Sequence, residues 1–140
     1  MIWREPERDL FKVCEELGIS FVAYSPLGNG FLSGRFNKDT KYQEGDFRSF
    51  MGRFKPEVME RNQDLLNLID KVAKRKNVTS AQVVLAWELA QKPFIIPIPG
   101  TTKIERLEEN LGAINIILNK EELNDISRAL NCINIDETHF

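Results

Sequence analysis

The chain reads as an α/β protein whose few strands are parallel, and three observations predict it. Apolar residues alternate between helical spacing and short runs with no polar break, so helix and strand follow one another along the chain. Two short runs, around 19–24 and 94–98, are apolar almost throughout, as parallel strands covered by helices are. A glycine-rich loop follows the first run and a Pro-Gly turn the second, each ending its strand. The sequence has 140 residues, enough for one domain with a real core.

Each element has its local reason. Glu7 to Leu17 places Leu10, Phe11, Val13, Cys14 and Leu17 at amphipathic spacing, and Gly18 should end that helix. Ile19 to Tyr24 is the first strand. Residues 28–55 form a long loop rich in charge and Phe with no clean period, of the kind that is usually functional or mobile. Pro56 opens a helix that carries Leu65, Leu66, Ile69, Val72 and Ala73 on one face. Thr79-Ser80-Ala81-Gln82 has the form of a capping box for a helix bearing Val83, Val84, Trp87 and Ala90, which Pro93 stops. Phe94 to Ile98 is the second strand. Two more helices follow, the last starting at Asn119 and burying Leu123, Ile126 and Leu130.

Composition narrows the function. The chain is 42% hydrophobic and 29% charged with a formal net charge of −2, an ordinary globular balance. Its Lys and Arg residues are interspersed with acids, so nothing argues for nucleic acid. No apolar run approaches a membrane span, and no signal-peptide pattern opens the chain. Cys14 and Cys132 stand far apart without metal spacing and read as reduced thiols of a cytoplasmic protein. No metal site and no catalytic triad or carboxylate pair emerges. The single histidine, His139, is penultimate and reads as a solvated tail.

The segment from Phe94 to Asn110 carries the most information. The Pro99-Gly100 turn, then Thr101 and Thr102, open a helix bearing Arg106, Glu109 and Asn110. Two readings are open. Thr102 and Glu105 suit a capping box. Alternatively, free amides at the helix start seat a phosphate, with Arg106 closing on it one turn further in.

The stretch Ala23-Tyr24-Ser25-Pro26-Leu27-Gly28-Asn29-Gly30-Phe31-Leu32-Ser33-Gly34-Arg35, together with Ile96-Pro97-Ile98-Pro99-Gly100-Thr101-Thr102-Lys103 and the helix after it, resembles the C-terminal part of the aldo-keto reductases. These are NADP-dependent (β/α)8 TIM-barrel enzymes. The first motif is similar to the family's loop after its seventh strand, the second to its eighth strand and the helix holding the adenosine 2′-phosphate. The resemblance runs from about Trp3 to about Leu130.

It implies the C-terminal portion of such a barrel over residues 1–140: two parallel strands with covering helices and an incomplete barrel, since a whole one takes about 250 residues. It implies NADP(H) as cofactor, with Tyr24 stacking on the nicotinamide. Ser25, Leu27, Gly28 and Gly30 would line the pyrophosphate path, with Arg35 nearby. Gly100, Thr101, Thr102 and Arg106 would hold the 2′-phosphate, and Glu109 and Asn110 would bind the adenine. The chain departs from the pattern at Gly100, where many members have Lys, and at Thr102, where others have a basic residue. Arg106, with help from Lys103, is then left to secure NADP over NAD.

The family reduces aldehydes and ketones to alcohols with a Tyr acid helped by Lys, Asp and His, all from the half of the barrel before Trp3. On this reading the chain holds no catalytic residue. Met1 reads equally as an internal methionine of a longer frame, a misplaced start or a fragment boundary. The alternative is a non-catalytic nucleotide-binding or interaction module that self-associates through exposed barrel edges.

Overall fold

Gly18 ends the first helix as its position predicts. In the computed structural model, which describes residues 1–138, it adopts φ +63° and its N–H turns back to the helix carbonyls. His139, expected as a tail, lies outside the described residues. The helix is shorter than the expected Glu7–Leu17 and begins at its first apolar residue: a 3-10 turn over Glu5–Glu7 precedes α1 at Leu10–Leu17. The first strand, β1, is Phe21–Tyr24 and the second, β2, is Ile95–Ile98. They are adjacent and parallel, with Phe21 opposite Ile95 and Tyr24 opposite Ile98. Their C-terminal ends therefore lie side by side, and both motif loops leave the same edge of the sheet.

Between the strands lie α2 (Pro56–Arg61), α3 (Gln63–Lys76) and α4 (Ser80–Gln91). The sequence predicts one helix from Pro56, and the structure breaks it at Asn62. That side chain is turned inward: its amide donates to the Asp136 carbonyl (2.9 Å) and its oxygen accepts the Asp136 N–H (2.9 Å). The break pins the C-terminal segment to the helices. At the far end of α3, Lys76 pairs with Glu122 (2.7 Å) and reaches the Ile117 carbonyl (3.0 Å).

The Thr79 capping box forms: Thr79 Oγ1 accepts the Gln82 N–H and Gln82 Oε1 accepts the Thr79 N–H. Val83, Val84 and Trp87 are buried as expected, but Ala81, Leu85 and Ala86 are buried too, while Ala90 is exposed. α4 is enclosed on several sides, so one apolar face underdescribes it. After β2 come α5 (Ile104–Leu111) and α6 (Lys120–Cys132), the latter capped by Asn119 and burying Ile126 and Leu130.

The core lies among α3, α4, α6 and the 28–59 segment, not beneath the sheet alone. The segment expected as functional or mobile contributes directly to it. Phe31, Phe36 and Tyr42 each meet the Phe54 ring edge-on at 5.5–6.0 Å, and Phe31, Leu32, Met51 and Phe54 are buried. Its lack of period reflects three short 3-10 turns, at Gly28–Ser33, Phe47–Phe50 and Gly52–Phe54.

The two strands look alike in sequence but present unequal faces. Phe21, Ala23, Ile95 and Pro97 are at least partly covered, whereas Val22, Tyr24, Ile96 and Ile98 are exposed. A second exposed apolar stripe runs along Ile104, Leu107, Leu111, Ile114 and Ile117.

Candidate functional site

The loop after β1 is built from left-handed residues. Ser25 (φ +49°), Gly28 (+56°), Asn29 (+60°), Gly30 (+94°) and Gly34 (+70°) fold it into a tight double turn in which the Gly28 N–H donates to the Ser25 carbonyl (2.8 Å). Gly28 and Gly30 have a second reason to lack a side chain. A Cβ on Gly28 would stand 2.9 Å from Arg53 Nη1, and one on Gly30 would stand 3.0 Å from the Phe36 ring. Protein groups occupy those close approaches. Leu27 packs its side chain against the core, so its backbone is what remains for a ligand. Tyr24, 65% exposed, holds its ring on the open face of the sheet.

The turn after β2 lies alongside. Gly100 has open space where a Cβ would be and no left-handed φ. Thr101 Oγ1 accepts the Lys103 N–H (3.2 Å), and Thr102 is exposed. The capping box that Thr102 and Glu105 suggest does not form: Lys103 is the N-cap of α5, with no side-chain cap. The first-turn amides of α5 are thus left without the side-chain acceptor that a capping box supplies. Arg106, half-buried, makes no ion pair or side-chain hydrogen bond among the described residues.

Arg35, expected near the pyrophosphate, and Glu109, expected at the adenine, form an ion pair with each other. That pair closes the glycine loop onto α5. Behind it, the Gln82 amide donates to the Glu109 carbonyl (2.9 Å), so one side chain caps α4 and ties it to α5. A Cβ on Gly112 would meet Gln82 Nε2 at 2.6 Å, so a side chain there would press on the amide that donates to Glu109. Asn110 is buried one residue further on. The twelve expected residues therefore fall at one end of the parallel pair and along α5. This end, the candidate cradle, presents the exposed ring of Tyr24 and the half-buried Arg106. Among the described residues, no three His, Cys, Asp or Glu side chains gather as a metal site would require.

A family model described as the aldo/keto reductase family matches residues 1–131. The chain belongs to the aldo-keto reductases. An aldo-keto reductase of Schizosaccharomyces pombe, yakc, whose name carries NADP(+), is 41% identical over 124 residues, which is 89% of this chain and 36% of that protein. Probable aldo-keto reductase 1 of Glycine max is 37% identical over 130 residues, 92% of this chain and 37% of that one. Among solved structures, the thermostable aldo-keto reductase Tm1743, crystallised with epalrestat, has a TM-score of 0.60 at 30% identity over 91% of this chain and 36% of its own. Glycerol dehydrogenase AKR11B4 from Gluconobacter oxydans reaches 0.82 at 23% identity over 96% and 41%, a likeness of fold. The chain thus spans little more than a third of the length of the curated relatives it matches. Its open sheet is part of an aldo-keto reductase barrel.

Sequence reasoning did not single out a further group of residues. Arg53, Trp87 and Glu88 line a cavity of about 430 Å³ behind β1, and each has a buried polar atom without a partner. Burial pushes the Glu88 carboxyl up to about 7, against the pull of the Met1 amine, and lowers the Arg53 guanidinium. The one available signal was local: Arg53 sits within Phe50-Met51-Gly52-Arg53-Phe54, an unusual setting for a solvated cation.

Proposed function

We propose that residues 1–140 are the C-terminal, cofactor-holding portion of an aldo-keto reductase, and that its cradle takes NADP(H). The observation that carries this reading is Arg106, a guanidinium without a carboxylate partner beside an uncapped helix start, at the edge where both motif loops emerge. Phosphate suits that combination of free amides and a planar cation. The name of the S. pombe relative carries NADP(+), and aldo-keto reductases of Klebsiella pneumoniae have been solved with NADP and with NADPH. Tyr24 would offer its exposed ring to the nicotinamide, and Ser25, Leu27, Gly28 and Gly30 their backbone to the pyrophosphate. Arg35 and Glu109 would act first on each other, as the clasp that holds the loop. The reaction would be reduction of a carbonyl substrate by the whole protein in the cytoplasm. The Asp, Tyr, Lys and His that such chemistry uses would come from outside this chain.

The test is cofactor titration of wild type and Arg106→Ala, made in a full-length barrel so that the groove is complete. A charge-assisted contact is worth about 1.5–3 kcal/mol, so NADPH should bind about 10- to 100-fold more weakly while NADH hardly changes. Equal losses for both cofactors would make Arg106 a support of the fold.

Surface area favours a second reading for the chain by itself, that of a self-associating module without catalytic activity. It exposes 8936 Å², against roughly 7,500 Å² for a folded monomer of 16.2 kDa. The excess of about 1,500 Å² on one chain is nearly twice the roughly 800 Å² that each partner buries in a standard protein interface. Sedimentation of the purified chain should show concentration-dependent assembly that Leu107→Glu with Ile114→Glu abolishes. A monodisperse monomer at high concentration removes this reading.

A further inference from the structure

We propose, on the reading of Arg106 as the phosphate ligand, that Arg35 sets the cradle's preference for a 2′-phosphate without touching it. By holding the Glu109 carboxylate from the opposite loop, Arg35 keeps Arg106 unpaired. Arg106 lies in the first turn of α5, where an ion pair within the helix forms with a residue three or four positions away. Those positions are Thr102, Lys103, Glu109 and Asn110, so Glu109 is the one carboxylate at helical reach of Arg106. Glu105 and Glu108, one residue before and two after, do not face it.

The structure leaves this local pair unmade. Glu109 binds Arg35, 74 residues away in sequence, and Arg106 makes no ion pair or side-chain hydrogen bond among the described residues. The Glu109 side chain is 17% exposed against 38% for that of Arg35, so one partner covers most of the approach to the carboxylate. The Glu109 backbone is held by Gln82 through its carbonyl (2.9 Å), which leaves only the side chain to choose between two guanidinium groups. Arg35 is placed for the contact by its own loop. The Ser33 hydroxyl donates to the Gly30 carbonyl (2.6 Å) and accepts the Arg35 N–H (3.4 Å), while Gly34 turns the chain at φ +70°.

With the clasp closed, Arg106 meets a phosphate with its donor fork free. With the clasp open, Glu109 turns to Arg106 at i,i+3 spacing, occupies that fork and sets a negative charge beside the incoming one. A nucleotide without the 2′-phosphate has no charge at that point and does not register the change. Arg35 is in this sense a positioning residue, acting on the phosphate through Glu109 and Arg106.

The experiment titrates the purified chain with adenosine 2′,5′-bisphosphate and adenosine 5′-monophosphate, which differ by the 2′-phosphate alone. Their affinity ratio is the readout. Arg35→Gln should lower it about 2- to 5-fold, and Arg35→Lys, which keeps a cation opposite Glu109, should hold it. Arg35→Gln combined with Glu109→Gln should restore it, because no carboxylate remains to capture Arg106. Loosening of the loop as such would persist in that double variant, which lacks the clasp too, so failure of the rescue overturns the proposal. Direct contact between Arg35 and the 5′-phosphate would weaken both nucleotides equally and leave the ratio unchanged, which also overturns it. The Arg106 Nε–H resonance, assigned with Arg106→Ala, gives a readout without nucleotide. It should shift on Arg35→Gln and return when Glu109→Gln is added; an unmoved resonance counts against the capture of Arg106 by Glu109. A ratio that Arg106→Ala does not lower removes Arg106 from the phosphate. A ratio lowered by Arg106→Ala but not by Arg35→Gln leaves that reading standing and sinks the role of Arg35.

Discussion

The helical half of this chain and its sheet half are built from the same kinds of residue and end in opposite states. In the first, Leu65, Ile69, Val83, Phe31 and Ile126 are almost fully enclosed. In the second, Val22, Ile96, Leu107, Ile114 and Ile117 stand in solvent, the last 81% exposed. Hydrophobicity does not separate the two groups; the supply of neighbours does. Helices α3, α4 and α6 find partners within the chain, whereas a parallel pair taken from a barrel has only one covered face and two free edges. The half that holds the core supports the half that holds the cradle, chiefly through α4 and the Gln82 and Arg35–Glu109 links.

The sharpest break in that comparison is substitution of matched side chains. Leu65→Ala in the enclosed half should cost about 2–5 kcal/mol through lost contacts and a cavity. Ile114→Ala should lie within about 0.5 kcal/mol, as surface changes usually do. Urea unfolding of both variants at one protein concentration measures the contrast. Equal losses would mean that the open stripe is buried in solution, which is what self-association requires.

The next contrast runs between acids. Glu88, inside the cavity, keeps its proton up to about pH 7, whereas an unfolded glutamate releases it near 4.5. Between those values the folded chain binds the extra proton, so stability should fall as pH rises from about 4.5 to 7, by roughly 3 kcal/mol in all. Asp136 behaves oppositely: Thr138 and Arg61 hold it down at about 2, so its contribution is lost only as pH falls below the ordinary aspartate range. Burial also lowers the Met1 amine, with a sign opposite to that of Glu88. The difference between wild type and Glu88→Gln therefore isolates the carboxyl. A pH profile unchanged by Glu88→Gln would mean that water or a ligand solvates this group.

Elements set by neighbouring residues were legible in the sequence, and those set by distant ones were not. Gly18 and the Thr79–Gln82 box are local and form as read. The break at Asn62 depends on Asp136, seventy-four residues away, and no periodicity announces it. An apolar run such as Phe21–Tyr24 predicts a strand equally well whether one face or two are covered. In the candidate site, the motif residues were legible by resemblance, but the Arg35–Glu109 clasp and the unpartnered Arg53 were not. Both depend on which charges the fold brings together. The glycines at 28 and 30 were assigned to ligand approach; in the structure Arg53 and Phe36 also require them.

The smallest expected effect compares two capping sequences that look alike. Thr79 with Gln82 and Thr102 with Glu105 both fit the pattern, yet only the first forms its reciprocal pair. Gln82 is held from behind by the Glu109 carbonyl, which fixes its amide in the position that Thr79 needs. At α5 the helix begins one residue later, and Thr101 satisfies the Lys103 N–H instead. Thr79→Ala should therefore cost about 1 kcal/mol of stability, and Thr102→Ala only a few tenths. Paired thermal and urea unfolding would resolve the difference. Added NADP(H), tested in a complete barrel, should then raise the cost of Thr102→Ala if its hydroxyl reaches the 2′-phosphate, and leave Thr79→Ala where it was. A Thr102→Ala cost near 1 kcal/mol without cofactor would instead mean that the capping box forms in solution, closing the helix start to phosphate.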